Sequence, residues 1–385
     1  MAVTRLHAED YEEFLDFIDQ VFSQDLIRVH FQEDMPLLFK PDEAHMQMQY
    51  AYRDERGRIR AAIGVIPYTY RVGGEDFAAR TITNVATHYR YAGRGYMQQI
   101  FRQVFDDLRQ EGADFAVLHG NRERYRHTGF EMAGSCDVAL FEAYNIPNRK
   151  KRGERYDFTF RQLTDSDVEL IRRCLALFDR EGQHYVRTEQ NFLDFQRMWE
   201  GRAFAIFDQS GDFCGYLNFY TRFGTAIREL LLTCPAQAAS VVYAFMLAQA
   251  LEEVAVYPSP FDPILNRVIY EAAEYVTNGQ TTRLNLLRPE RFLQACLELK
   301  HRSGAYMPQG KLVLESVLGR LLIRNDGTFT VQKTERPVDL TLAQDEVYGL
   351  LFGPSPRVFA PYSAQLGALG AWFPLPFYIH FTDLY

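Results

Sequence analysis

Apolar side chains in Tyr11–Phe22 recur on one face, at Phe14, Ile18, Val21 and Phe22, and predict a helix. Met46–Tyr52 and Ile59–Val72 read as strands, with Asp54–Gly57 as the turn between them. Gly73-Gly74 then turns the chain into a third strand over Phe77–Val85. Met97, Ile100, Phe101, Val104, Phe105 and Leu108 fall at relative positions 0, 3, 4, 7, 8 and 11. That spacing predicts an amphipathic helix over Met97–Arg109, with Gly112 where a C-terminal cap belongs. Phe115–His119, closed by Gly120, is a short apolar run expected as a buried strand.

The basic run Arg149-Lys150-Lys151-Arg152, then Gly153, reads as a solvated connection between domains in preference to a phosphate or nucleic-acid contact. Beyond it the strand-then-helix order recurs weakly. Ala203–Asp208 and Phe213–Tyr220 flank Ser210-Gly211 as a hairpin, Ile227–Thr233 is a strand, and Ala238–Val254 reads as a helix. The recurrence suggests a duplicated domain. The second copy has Cys234-Pro235-Ala236-Gln237 where the first has glycines, so it is not expected to do the same job. Towards the end, Leu312–Arg324 and Thr328–Lys333 flank Asn325-Asp326-Gly327, a strong hairpin turn, and Val338–Leu342 is another strand. Thr341 and Gln344 have the spacing of a capping box that opens a helix through Phe352.

Length and composition narrow the class. The 385 residues suggest two or three domains at ~150 residues each. With 47% hydrophobic and 24% charged residues, disorder and collagen-like structure are excluded. A net charge of −8 argues against a general nucleic-acid binder and suits cationic substrates. Cys136, Cys174, Cys214, Cys234 and Cys296 are scattered and odd in number, which fits reduced core thiols. The beginning of the chain turns acidic by Glu9 and shows no secretory signal. Thr233–Leu251 reads as a soluble buried helix, and Val358–Ile379 is broken by Pro361, Pro374 and Pro376, so no membrane span is expected. A soluble, cytoplasmic protein follows. The histidines form no close pair or H-E-x-x-H pattern, and no metal site is expected.

The chemistry is concentrated between Asn84 and Met97. A strand ends, the pattern Arg90-x-x-Gly93-x-Gly95 follows, and the amphipathic helix begins. Glycines there let backbone N–H groups converge on an anion at a helix N-terminus, and Arg90 and Arg94 can neutralise phosphate. The spacing is neither that of a dinucleotide fold nor that of a P-loop. It suits the pyrophosphate of coenzyme A, although the same pattern also occurs as plain turn chemistry.

After the helix and the Phe115–His119 strand comes Tyr125-x-x-x-Gly129-Phe130-Glu131. This order resembles the GCN5-related N-acetyltransferases, the GNAT fold. The resemblance implies that Val85, Ala86 and Thr87 lie along the cofactor and that Arg90 and Gly93, Arg94, Gly95, Tyr96, Met97 and Gln98 cradle its pyrophosphate. It also implies that Asn121 sits beside the pantetheine arm and that Tyr125 points at the thioester sulfur as general acid. The competing reading of Tyr125 is a core aromatic packed on the next strand. His88 and His119 lie near the cofactor strands and could be bases, though satisfied structural histidines are the commoner case.

The whole chain resembles the Eis-type (enhanced intracellular survival) acetyltransferases. The resemblance implies an α/β (mixed α+β) fold of two tandem GNAT-like domains with mixed central sheets, plus a C-terminal domain similar to a sterol carrier protein. The corresponding divisions are 1–148 (catalytic), 149–283 (degenerate) and 284–385. It implies acetyl-CoA as co-substrate, no metal, and a homo-oligomer with the hexamer favoured. The acceptor would be an amine, either an aminoglycoside- or polyamine-like small molecule or a protein lysine. The family's terminus is an aromatic residue inserted into the active site, and here the α-carboxylate of Tyr385 is expected to be the general base. Family members can carry an acidic residue just before the terminal aromatic. Here that position is Leu384, with Asp383 one earlier. The aromatic segment Ala371–Tyr378 could bind lipid, but core and active-site packing is the expectation. The alternative for the protein as a whole is a non-catalytic acyl-CoA- or lipid-binding module.

Overall fold

The computed structural model describes residues 3–24, 29–280, 282–353 and 362–383. It divides into two compact units. One comprises Met1–Gln32, Leu38–Ser135 and Gln280–Phe377; the other comprises Glu33–Leu37, Cys136–Gly279 and Tyr378–Tyr385.

In the first unit the larger sheet runs in the order Val3–Arg5, Gln49–Arg53, Ile59–Val72, Glu75–Thr87, Phe115–Leu118, Thr282–Leu286, Glu131–Ala133. Glu75–Thr87 and Phe115–Leu118 are parallel, paired from Ala79↔Phe115 to Ile82↔Leu118. The first of them continues five residues past Ile82 without that partner, so the two strands part at Thr83. The register of Glu75–Thr87 on Ile59–Val72 shifts between Ala62 and Gly64, opposite Asn84, whose φ is +39°. A bulge of this kind bends a strand and re-aims its backbone. The two parallel strands are connected through the helix Tyr96–Glu111, one residue longer at its start and two at its end than its periodicity predicts. Its buried stripe, Ile100, Phe101, Val104, Phe105 and Leu108, packs on Ile63, Val65, Ile82, Ala116 and Leu118. Gly112 ends it at φ +72°, and Ala113 N–H reaches back to Leu108 O at 2.9 Å.

The same unit contains a smaller sheet. Gly310–Ser316, Gly319–Asn325 and Phe329–Lys333 are antiparallel in sequence, and Leu340–Thr341 adds a parallel edge. The run expected as one strand over Leu312–Arg324 is thus a hairpin turning at Val317-Leu318, because Gly319, at φ +91°, takes the left-handed position. The helix Gln344–Phe352 starts two residues later than the Thr341 box implies. Ala343 is its N-cap, and Glu346 accepts from the Ala343 N–H at 2.9 Å. Trp372 is fully buried with its indole N–H on Pro308 O at 2.9 Å, and Phe377 packs on Phe115, Phe292 and Phe352. The aromatic segment therefore packs into this unit.

In the second unit the sheet order is Tyr275–Gly279, Cys136–Glu142, Glu253–Val256, Ala226–Leu232, Phe213–Tyr220, Arg202–Phe207, Thr159–Gln162. Ala226–Leu232 and Glu253–Val256 are parallel, with the helix Ala238–Ala248 between them in sequence, the same order as in the first unit. The tandem mixed α/β arrangement expected from the sequence is present. Two details differ. The apolar run read as a helix through Val254 stops at Ala248, Ala250 takes φ +52°, and Val254 and Val256 belong to a strand. No glycine or proline marks that change, because the left-handed position is taken by an alanine. The basic run is solvated as expected at Lys150, Lys151 and Arg152, which are exposed, but its first three residues end the helix Ile146–Lys151, where Arg149 pairs with Glu154 at 2.8 Å and lies over the Tyr243 ring. Cys136, Cys174, Cys214 and Cys296 are buried thiols, whereas Cys234 is exposed. Among the described residues, no helix is long and apolar enough to cross a membrane.

Candidate active site

The turn into the helix Tyr96–Glu111 depends on backbone conformation. Gly93 and Gly95 both have φ +76°, and a Cβ at Gly93 would meet nothing within 4 Å. Glycine is required there by its left-handed backbone, since space is available. Tyr96 is held by stacking on Tyr52, with centroids 4.0 Å apart and planes at 14°. The Arg94 and Arg60 guanidinium groups both lie on the Tyr91 ring, at 4.7 and 4.4 Å from its centroid. Arg60 is in turn fixed to Asp54 at 2.7 Å.

These elements enclose a cavity of about 790 Å³. Val85 and Thr87 line it from the strand beyond the parting point, and residues 91–98 line it from the turn and the helix start. Val21, Phe22, Phe101 and Phe105 supply apolar wall, Arg94, Arg102 and Arg124 supply positive charge, and His127 adds an imidazole. Helix N–H groups, flexible glycine backbone and four basic side chains in one concavity fit a phosphate-bearing ligand. The apolar wall fits an acyl-pantetheine arm.

Of the residues expected at this site, Val85, Thr87, Gly93, Arg94, Gly95, Tyr96, Met97, Gln98 and Tyr125 line the cavity. Ala86 does not. Strand alternation turns it to the other face, where it is 1% exposed. Arg90 donates from Nε to the Tyr89 hydroxyl at 2.8 Å and is not part of the lining. Asn121 is the N-cap of the short helix Arg122–Tyr125, its Oδ1 accepting from the Glu123 N–H at 2.9 Å. Tyr385 lies outside the described residues. Arg102, Arg124 and His127 were not anticipated. Arg102 lies one helical turn beyond Gln98, so the helix face starting at Gly95 carries a signal for it. For Arg124 and His127 only the fold shows the placement.

Tyr125 is buried, 6% exposed, with its ring 6.1 Å from Phe101. Burial pushes its phenol above the ordinary value of 10.0, and Arg124 beside it opposes part of that rise. The phenol is therefore neutral and able to donate at neutral pH. Its ring sits where a Cβ on Gly120 would be, 2.6 Å from Cε2. The segment that follows is secured by buried Glu131, paired with Arg122 at 2.9 Å and Arg126 at 3.4 Å. Neither histidine considered from the sequence lines this cavity. His88 Nδ1 accepts from the Arg90 N–H at 3.2 Å, and burial together with Arg60 and Arg90 lowers its pKa. Burial, with Arg283, pushes His119 down to about 4.

Residues 2–133 match the family model described as an acetyltransferase (GNAT) domain. A comparison with curated proteins found no match. Among solved structures, the chain is similar to a GCN5-related N-acetyltransferase from Kribbella flavida, with 18% identity, a TM-score of 0.68, and coverage of 100% of this chain and 98% of that one. It is also similar to a probable N-acyltransferase from Enterococcus faecalis V583, with 15% identity, a TM-score of 0.72, and coverage of 100% and 99%. Eis1 from Mycobacterium abscessus aligns with 13% identity, a TM-score of 0.64, and coverage of 98% and 99%. At these identities the solved structures speak to fold, and the domain match speaks to chemistry. The chain carries a GNAT acetyltransferase domain, and its enzyme class is N-acetyl transfer.

Proposed function

We propose that the protein transfers an acetyl group from acetyl-CoA directly to an amine, with the cavity at the Gly93–Gly95 turn as the cofactor site. One observation carries the reading: left-handed glycines, a helix N-terminus, four basic side chains and a buried neutral Tyr125 share one concavity. Arg94, Arg102, Arg124 and His127 would meet the cofactor's phosphates, and Phe101 and Phe105 its apolar arm. The bulged backbone at Asn84–Val85 would offer an N–H to the thioester carbonyl, where charge develops. An alkylammonium with pKa ~10 must lose a proton before it attacks. The departing thiolate takes one from Tyr125. In this reading the α-carboxylate of Tyr385 is the base, and the acceptor is a cationic aminoglycoside- or polyamine-like molecule, or a protein lysine. The three-part division at 148 and 283, a third part like a sterol carrier protein, a homohexamer and a cytoplasmic location belong to the same proposal.

Two substitutions probe the two halves of the site. Gly95→Val forces a β-branched residue into a left-handed conformation. It should raise the KM for acetyl-CoA by at least ~10-fold, and unchanged cofactor affinity would remove the turn from the site. Gly120→Ala should displace the Tyr125 ring and lower kcat on the order of 10²-fold, with acetyl-CoA binding retained. Normal kcat would show that ring placement does not matter. Thermal-shift titration tests the proposal against a binding module: acetyl-CoA should stabilise the fold and fatty ligands should not.

A further inference from the structure

The bulge next to the point where the parallel strands part is held by side chains as well as by backbone. Between the pairs Ala62↔Ala86 and Gly64↔Thr83, the register sets two residues, Asn84 and Val85, against the single residue Ile63. Asn84 takes φ +39°, a conformation that asparagine tolerates better than most residues. A non-glycine residue stays there only where its surroundings over-determine it. Strand alternation assigns those surroundings. Ile63, Val65 and Ile82 turn to the helix Tyr96–Glu111, so Gly64 between them faces the opposite side of the sheet. There Gly64 pairs with Gln49 on one neighbouring strand and with Thr83 on the other.

The side chains of Gln49 and Asn84 meet over that glycine, with their carboxamides 3.1 Å apart. A Cβ on Gly64 would run into the Asn84 carboxamide oxygen and stand 2.9 Å from Gln49 Oε1, so glycine is needed for space. With its nitrogen toward Thr83 O at 3.2 Å, the Asn84 carboxamide accepts from the Gly64 N–H at 3.2 Å and from the Gln49 amide at 3.1 Å. Gln49 is 1% exposed and Asn84 6%. The other end of the Gln49 carboxamide meets no hydrogen-bonding group among the described residues. Stability does not account for Gln49, because a buried carboxamide with unmet hydrogen-bonding capacity costs more than an apolar side chain of the same shape. What it supplies is a hold on Asn84. Val85, the next residue, lines the cavity, and rotation about the Asn84 backbone swings the Val85 N–H.

We infer that Gln49 is a positioning residue: it latches Asn84 in the left-handed conformation across Gly64, and so aims the Val85 N–H at the thioester carbonyl. The inference rests on the reading that this N–H meets the carbonyl, and it assigns the aim to a side chain that does not itself line the cavity.

The test uses the full chain. Gln49→Leu keeps the volume and removes the latch; kcat should fall at least about tenfold, with the KM for acetyl-CoA unchanged. The Gly64 amide, covered by Asn84 only while the latch is closed, should exchange its hydrogen at least about tenfold faster. Asn84→Gly can take the left-handed φ but offers nothing to hold. It should lose kcat to the same extent, and adding Gln49→Leu to it should change nothing further. An unchanged Gly64 exchange rate in Gln49→Leu would overturn the latch. Faster exchange with normal kcat would overturn its positioning role, and losses that multiply in the double variant would overturn the route through Asn84. Normal kcat in Val85→Pro, which deletes the N–H itself, would instead refute the carbonyl contact, and the exchange rate would still decide the latch.

Discussion

Tyr125→Phe is expected to lower kcat by roughly 10²–10⁴-fold while leaving acetyl-CoA affinity nearly unchanged. The substitution keeps the ring that packs near Phe101 and removes only the proton donor. Because burial raises the phenol's pKa above 10.0, the donor stays protonated across neutral and mildly alkaline pH. As pH rises from ~7 to ~9, deprotonation of Tyr125 should therefore cost no activity, and any increase should follow deprotonation of the acceptor amine or its base. Steady-state kinetics of the variant and a pH–rate profile of the parent check both statements. Full activity of Tyr125→Phe would leave the residue as a core aromatic, with solvent protonating the thiolate.

Deleting Tyr385, or extending the chain past it with a short tag, is expected to abolish turnover, a loss of at least ~10²-fold. An α-carboxyl group ordinarily titrates near ~3.5 and is a weak base, but burial raises its pKa. Circular dichroism and acetyl-CoA titration should show an intact fold and an intact cofactor site. Normal kcat in a C-terminally tagged protein would remove Tyr385 from the chemistry.

The parts of this molecule that sequence alone displays are those set by local periodicity and by backbone-demanding residues. The stripe from Met97 to Leu108 and the glycines at 93, 95 and 112 placed the helix and its two ends to within two residues. The hairpin at Val317-Leu318 was hidden because two apolar residues occupy the turn and Gly319, just after them, takes the strain. The end of the helix at Ala248 was hidden because Ala250, an alanine and not a glycine, takes the left-handed position at φ +52°. At the site, motif position points to Asn121 and Arg90, and it does not show the local partner that each has, the Glu123 N–H and the Tyr89 hydroxyl. Arg124 lies in, and His127 just after, a short helix whose orientation only tertiary packing sets. The Gln49–Asn84 contact joins positions 35 residues apart, beyond the reach of any local pattern.

The central claim is that acetyl-CoA is consumed in this cavity by attack of an amine. Thiol release from acetyl-CoA over a panel of amines, including aminoglycosides, polyamines and a lysine peptide, tests it most directly. The account predicts release that depends on both acetyl-CoA and at least one unprotonated amine, with stoichiometric N-acetylated product, and that is lost in Tyr125→Phe. Cofactor binding with no amine-dependent thiol release across the panel would contradict it, and the protein would then be a binding module.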